Sequence, residues 1–418
     1  MGTVVQLART EAVGGVLLTV MVIVALLWVN LPAHSSYAGV WGASAHGTLL
    51  PADELGTVRD WIDNGLMTVF FLAVGLEVGR ERALGSLREA RNAVLPVVAA
   101  LGGMAGAALA YLATTAATGG LSAGVATGGL SGAVLRGWGV PMATDVAFTL
   151  AALALLGRRV PSSLRVFVLA LAVADDVASV IVLALVSSSR VHVHYWALAG
   201  AAVWFAAVAL ASRRVRRSWW PYLVAVVVEW ALLAWGGVEP TLAGAFVGMV
   251  VPCTVAAGKG RAPSPTAAPT RTPSAVLERV LNPLSILVVL PLFALANTGV
   301  ALGGHLLATP APRSVAVGIV VARLAGKMVG ITLTVAVLVR LGVAGLPDGV
   351  RWPQLVGAAA MCGMGFTVPL LFATATFAGH PALIAAAQVG LLVGTAVPFV
   401  AGAVILLAAG RTSDPPSG

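Results

Sequence analysis

The sequence is poor in charge: only 10% of its 418 residues are Asp, Glu, Lys or Arg, against about 25% in a soluble domain. Hydrophobic residues make up 59%, and the mean hydropathy is +0.96. Too little polar side chain remains to clothe a water-facing surface, which excludes a soluble globular protein. Cysteine is almost missing, and Cys253 and Cys362 form neither a disulfide framework nor a metal-ligand spacing. Lysine is as scarce, with Lys259 and Lys327 alone among 25 basic residues. Alternation of apolar and polar residues is absent, which argues against a membrane barrel. No ATP-binding motif, redox centre or large water-soluble domain is legible. No enzyme activity and no cofactor are therefore expected, and any chemistry must sit inside a bundle of helices.

What the chain does have is long apolar runs. They place helices near 13–30, 63–79, 93–113, 139–157, 163–187 and 195–211, and again near 219–235, 240–252, 283–300, 314–339, 354–377 and 383–408. At roughly 20 residues per crossing, a dozen crossings fit the apolar content. The expectation is an all-α integral membrane protein, with residues 1–418 as a single transmembrane domain in the lipid bilayer. The run at 13–34 is long for a signal peptide and reads as a retained first helix. Residues 256–274, with Pro263, Pro265, Pro269 and Pro273, read as a disordered cytoplasmic loop. Residues 114–137, rich in Gly, Ala and Thr, read as an external connection, and 411–418 as a short polar tail.

The net charge of +9 does not point to nucleic acid. Arg and Lys fall in short clusters between apolar runs, such as Arg80/Arg82/Arg88/Arg91 and Arg213/Arg214/Arg216/Arg217. With both termini cytoplasmic, 19 basic residues face inward and only Arg59, Arg136, Arg190 and Arg313 face outward. That is the positive-inside pattern of a multi-pass protein of a cytoplasmic (inner) membrane. Trp219, Trp220 and Trp235 sit at span ends, as interfacial anchors do.

Ionisable groups inside a span are costly and mark pathways or relays. Those here are Asp145, Asp175, Asp176, Glu229, Arg323 and Lys327. Asp175 and Asp176 are mid-span neighbours, about 100° apart around a helix, so both can border one cavity. Two carboxylates that close in low dielectric cannot easily both ionise. A hard cation such as sodium relieves that repulsion, and so do protons, so the two compete for the same groups. Competition of that kind is sufficient for exchange. The plainer reading is that both Asp fasten helices by pairing with basic groups, but adjacent anions make a poor fastener. Lys327 is kept mid-span where the chain otherwise uses Arg; its function is either to titrate or to serve as a fixed counter-ion.

Two spans are interrupted. Pro141-Met142-Ala143-Thr144-Asp145 breaks one, and Cys362-Gly363-Met364-Gly365-Phe366-Thr367-Val368-Pro369 breaks another seven spans later. Each alone reads as a Gly/Pro kink. Unwound backbone inside a bilayer lines a cavity, and matched breaks in two halves point to the binding site of an inverted-repeat transporter.

With these residues in view, the chain resembles the NhaA-type sodium/proton antiporters, a family already among the known inverted-repeat folds. The resemblance runs from about residue 9 to residue 408. It is carried by NGLMTVFFLAVGLEVGRE at 64–81, PMATDVAFTLAALALLG at 141–157, the ADD core within 160–185, TLAGAFVG at 241–248, LPLFALANTGV at 290–300, GKMVGI at 326–331 and MCGMGF at 361–366. It implies twelve helices, with the fourth and eleventh broken and crossing at mid-membrane. On those elements fall Thr144, Asp145, Gly363, Gly365 and Phe366. By the same resemblance Asp176 is the principal Na⁺ ligand and Asp175 its proton-carrying or gating partner. Lys327 then either pairs with them or balances the half-helix dipoles with Asp145. Glu77, Arg80, Glu81 and Glu278 match positions linked to pH response.

Three departures stand out: Glu239-Pro240 where the family often has a His, Asn64 where an Asp is familiar, and Glu229 at an apolar position. The external hairpin associated with family dimers is not legible between 31 and 60, which leaves a homodimer open. The implied activity is electrogenic export of Na⁺, and of Li⁺ with it, in exchange for external protons. The alternatives are K⁺ or another solute on the same fold, a transport-inactive proton sensor, and an intramembrane aspartyl protease. The protease would need a Gly-x-Gly-Asp element that the chain lacks.

Overall fold

The computed structural model describes residues 2–31, 34–44, 56–84, 90–119, 130–145, 149, 152–153, 156, 160–187, 194–216, 218–253, 272–301 and 307–409. In chain order the helices are α1 (Gly2–Asn30), α2 (His34–Trp41), α3 (Met67–Leu84), α4 (Ala90–Ala117) and α5 (Leu130–Arg136). Next come α6 (Ser162–Ser187), α7 (Tyr195–Ala211), α8 (Trp220–Gly236) and α9 (Leu242–Val250). The rest are α10 (Pro273–Leu284), α11 (Leu290–Asn297), α12 (Pro310–Val321), α13 (Lys327–Arg340), α14 (Trp352–Met361), α15 (Thr367–Thr376) and α16 (Pro381–Ala408). Wider π-helical turns at Trp61–Leu66, Ser285–Val289 and Ala322–Gly326 lead into α3, α11 and α13. Among the described residues the β pairing is an isolated antiparallel bridge, Ser44 to Thr57.

The chain forms two compact units: residues 1–34, 90–186 and 297–418, and residues 35–89 and 187–296. Large apolar side chains point outward in both, among them Val16 and Leu333 in the first unit and Val203 in the second. In water such a surface would be unstable; against lipid tails it costs nothing. Each unit has its own apolar interior. Leu153, Leu164, Leu171, Ile331 and Leu355 contribute to the first, and Leu72, Leu76, Tyr222, Val247 and Leu281 to the second.

Lipid-like tails give helices no hydrophobic reason to associate, so close packing of small residues has to hold them together. Both units use that device. In the first, Gly102 and Gly106 of α4 face the residues flanking Lys327: a Cβ on Gly326 would come within 2.7 Å of the Gly106 carbonyl oxygen. In the second, Gly75 and Gly79 of α3 face Gly244 and Gly248 of α9, where a Cβ on Gly248 would lie 2.8 Å from the Leu72 carbonyl oxygen.

Two sequence expectations need correction. Residues 114–137 are not a connection throughout, because α4 continues to Ala117 and α5 occupies Leu130–Arg136. Thr114 and Thr115 donate their hydroxyls to the Ala110 and Tyr111 carbonyls (2.7 and 2.9 Å), so polar side chains satisfy themselves on the helix instead of ending it. The loop expected to reach residue 274 ends earlier: Thr272 is buried and caps α10 by accepting from the Ala275 N–H. Residues 254–271 and the tail from 410 lie outside the described residues. Ser44 and Thr57 form an isolated antiparallel bridge, and residues 45–55, where a dimer hairpin was not legible, lie outside the described residues.

Candidate functional site

The site lies in the first unit, where α6 carries both aspartates at mid-helix. Asp175 has no solvent exposure and Asp176 is half-buried. Asp175 Oδ2 accepts two hydrogen bonds, one from the Thr144 backbone N–H (2.7 Å) and one from Lys327 Nζ (2.8 Å). Lys327, fully buried at the head of α13, also donates to the Met142 carbonyl. Buried charges persist only when paired and hydrogen-bonded, and this pair meets that condition on one carboxylate oxygen. Among the described residues Asp175 Oδ1 has no hydrogen-bond partner, nor has Ser179 Oγ one turn later on the same helix face.

Met142, Thr144 and Asp145 reach the site because the chain leaves helical geometry there. A 3-10 turn at Gly137–Gly139 follows α5, and residues 143–145 are non-helical. Tyr111 of α4 holds this segment by donating its hydroxyl to the Val134 carbonyl (2.9 Å). The second break separates α14 from α15 at residues 362–366. The two breaks exchange hydrogen bonds. The Asp145 N–H donates to the Met364 carbonyl (3.1 Å), and Thr144 Oγ1 donates to the Cys362 carbonyl (2.7 Å). Unwound backbone in a membrane must find protein partners, and here each break supplies them to the other.

The crossing also orders charge. Thr367, the first residue of α15, donates its hydroxyl to Asp145 Oδ2 (2.8 Å), which brings a carboxylate to a helix N-terminus, where the backbone dipole favours it. The Met142 carbonyl, in the turn after α5, meets the Lys327 ammonium. Lys327 thus touches both an aspartate and the unwound segment after α5. Gly363 and Gly365 are needed for close approach: a Cβ on Gly365 would lie 2.8 Å from the Asp145 nitrogen. Phe366 is buried at the N-terminal boundary of α15.

The pH-response candidates belong to the second unit. Arg80 Nη1 lies 3.6 Å from Glu278 Oε2, a loose pairing between α3 and α10, and the field of Glu77 acts on Glu278 as well. The side chain of Glu81 lies outside the described residues. Glu229 is buried on α8 with Oε2 unpartnered among the described residues, and the next residue, Trp230, donates to the Asn64 carbonyl (2.9 Å). Glu239 accepts from Thr241 Oγ1 (3.2 Å).

Sequence reasoning missed Thr367 and Ser179. Thr367 was signalled by its place at the restart of a broken helix, where hydroxyl residues sit naturally. Ser179 was signalled by its spacing of four from Asp175. Arg323 is legible in the sequence as a charge within a span, but its surroundings are not.

The chain is similar to known proteins over nearly its whole length. The family model described as Na+/H+ antiporter 1 matches residues 5–406. The Na(+)/H(+) antiporter NhaA 2 of Novosphingobium aromaticivorans is 39% identical over 409 residues, covering 97% of this chain and 96% of that protein. The Na(+)/H(+) antiporter NhaA of Pseudomonas entomophila is 37% identical, with 98% and 96% covered. That of Streptomyces avermitilis is 37% identical, with 94% and 78% covered.

Proposed function

We propose, from the premise that this chain belongs to the Na+/H+ antiporter 1 family, that its exchange of Na⁺ for H⁺ runs through Asp175 and Asp176 with Thr144 beside them. The protein is a multi-pass antiporter of a bacterial membrane. The observation that carries the site is the fully buried Asp175 carboxylate, held by Lys327 and by the unwound backbone at Thr144.

In our reading Na⁺ enters from the cytoplasm and takes Asp176 as its main ligand. As the cation's charge replaces that of the ammonium on Asp175, Lys327 is displaced and protons leave. The loaded site then opens outward, and external protons displace Na⁺. Cation and protons cannot share the carboxylates, so each departure requires the other's arrival. Two protons entering for each Na⁺ leaving would move one positive charge inward per cycle, and the membrane potential would contribute about 2.3 kcal/mol per charge per 100 mV. Li⁺ is expected to be carried as well.

Arg80, Glu77, Glu81 and Glu278 are our candidates for the pH response, supported by the Arg80–Glu278 contact. The bias of Arg and Lys toward one set of loops supports cytoplasmic termini. A homodimer rests on the resemblance alone.

The test is transport by purified protein in sealed liposomes that hold a pH gradient and a pH-sensitive dye. Na⁺ and Li⁺ are expected to collapse the gradient and K⁺ is not, and Asp176→Asn is expected to be inert while still folded. Wild-type transport by that variant would remove the assignment, and a response to K⁺ alone would change the ion.

A further inference from the structure

Arg323 is the largest fully buried side chain of the described residues, and the mechanism above does not use it. It stands in the π-turn Ala322–Gly326, directly before Lys327 and α13. Such turns are rare and concentrate at functional sites. Its Nε donates to the Gly394 carbonyl of α16 (3.1 Å), while Nη1 and Nη2 have no hydrogen-bond partner among the described residues.

The space it occupies is made by glycines. A Cβ on Gly394 would come within 2.9 Å of Arg323 Cδ, and one on Gly365 within 2.7 Å of Arg323 Nη2. The same Cβ on Gly365 would lie 2.8 Å from the Asp145 nitrogen, so the end of the guanidinium reaches the point where the two interrupted helices cross. The carboxylates of Asp145 and Asp175 act on the buried Arg323 charge. The Lys327 ammonium is engaged with Asp175 and the Met142 carbonyl. A guanidinium does not give up its proton under physiological conditions, and burying one is too costly to serve as packing that a Leu could provide.

We propose that Arg323 is a positioning residue for exchange, the permanent positive charge that offsets Asp145 at the crossing and thereby limits how tightly the neighbouring aspartate pair holds a cation or a proton. The inference rests on the assignment of exchange to Asp175 and Asp176. Its sign is fixed by electrostatics. Removing the charge makes the site more negative, so both Na⁺ and protons bind more tightly.

Transport in proteoliposomes across pH 6 to 9 tests this with Arg323→Gln, Arg323→Lys and the pair Arg323→Gln/Asp145→Asn. Arg323→Gln is expected to raise the pH of half-maximal exchange by about one unit and to lower the apparent KM for Na⁺ at alkaline pH on the order of tenfold. Arg323→Lys is expected to stay near the wild-type profile, and the pair to return toward it. A merely structural residue would instead lower the amount of folded protein or the maximal rate, with midpoint and KM unmoved, and that result overturns the proposal. If Arg323→Gln fails to fold, the pair decides: recovery of fold and exchange supports the charge balance, and failure to recover refutes it. Exchange surviving in Asp176→Asn would refute the site assignment instead, so the two failures are distinguishable.

Discussion

The Lys327 ammonium is the only group seen to donate a side-chain hydrogen bond to Asp175 among the described residues. Replacing it with Met leaves a buried carboxylate uncompensated, at a cost of about 3–5 kcal/mol. Thermal unfolding of the solubilised variant is expected to show that loss. It is also expected to show more stabilisation by added Na⁺ than the wild type has, because the cation then supplies the missing charge and binds only the folded form. Equal Na⁺ stabilisation in both proteins would mean that Lys327 and Na⁺ do not contest the same carboxylate. Competition with protons has its own sign. Protonation removes the Na⁺ ligands, so apparent KM for Na⁺ is expected to rise as pH falls, about tenfold per unit for one competing proton by mass action, with the maximal rate unchanged. A KM independent of pH would separate proton binding from the Na⁺ site.

At the scale of elements, the interrupted helices depend on bonds between the breaks. Thr144→Val keeps the volume but removes the donor to the Cys362 carbonyl, leaving a buried acceptor unsatisfied. The expected cost is about 1–3 kcal/mol in unfolding. The packing of α4 against α13 is equally testable. A methyl at Gly326 meets the Gly106 oxygen and the Ala110 Cβ, both at 2.7 Å, whereas one at Gly132 meets nothing within 4 Å. Gly326→Ala is expected to destabilise by about 1–3 kcal/mol as overpacking does, and Gly132→Ala to be near neutral.

Much at this scale was legible in the sequence. The run at 195–211 is α7 to the residue, and the Pro-Met-Ala-Thr-Asp and Cys-Gly-Met-Gly-Phe strings mark the two breaks. These features are local, set by hydropathy and by residues that cannot continue a helix. The ends of α4 and the presence of α5 were not legible, because Gly, Ala and Thr read as loop in water but pack as helix in lipid. The contacts of Arg323 with Gly394 and of Thr367 with Asp145 join residues 71 and 222 positions apart, a separation that no local pattern encodes.

At the scale of the whole molecule, the chain inverts the pattern of a soluble protein: apolar side chains face outward and charged side chains such as Asp175, Arg323 and Lys327 are buried. Antiport couples the movement of the two ions, so a gradient of one can drive the other. If more than one proton enters per Na⁺, the rate is expected to increase with an interior-negative potential clamped across liposomes, and to be indifferent to it if exchange is one for one.

In the proposed exchange Na⁺ and protons occupy the same carboxylates in turn. Titrating purified protein with Na⁺ in weakly buffered solution, and recording proton release, tests it without transport or orientation entering. Protons are expected to be released as Na⁺ binds, with neither binding nor release from Asp176→Asn. Na⁺ binding to the wild type with no proton released would contradict it.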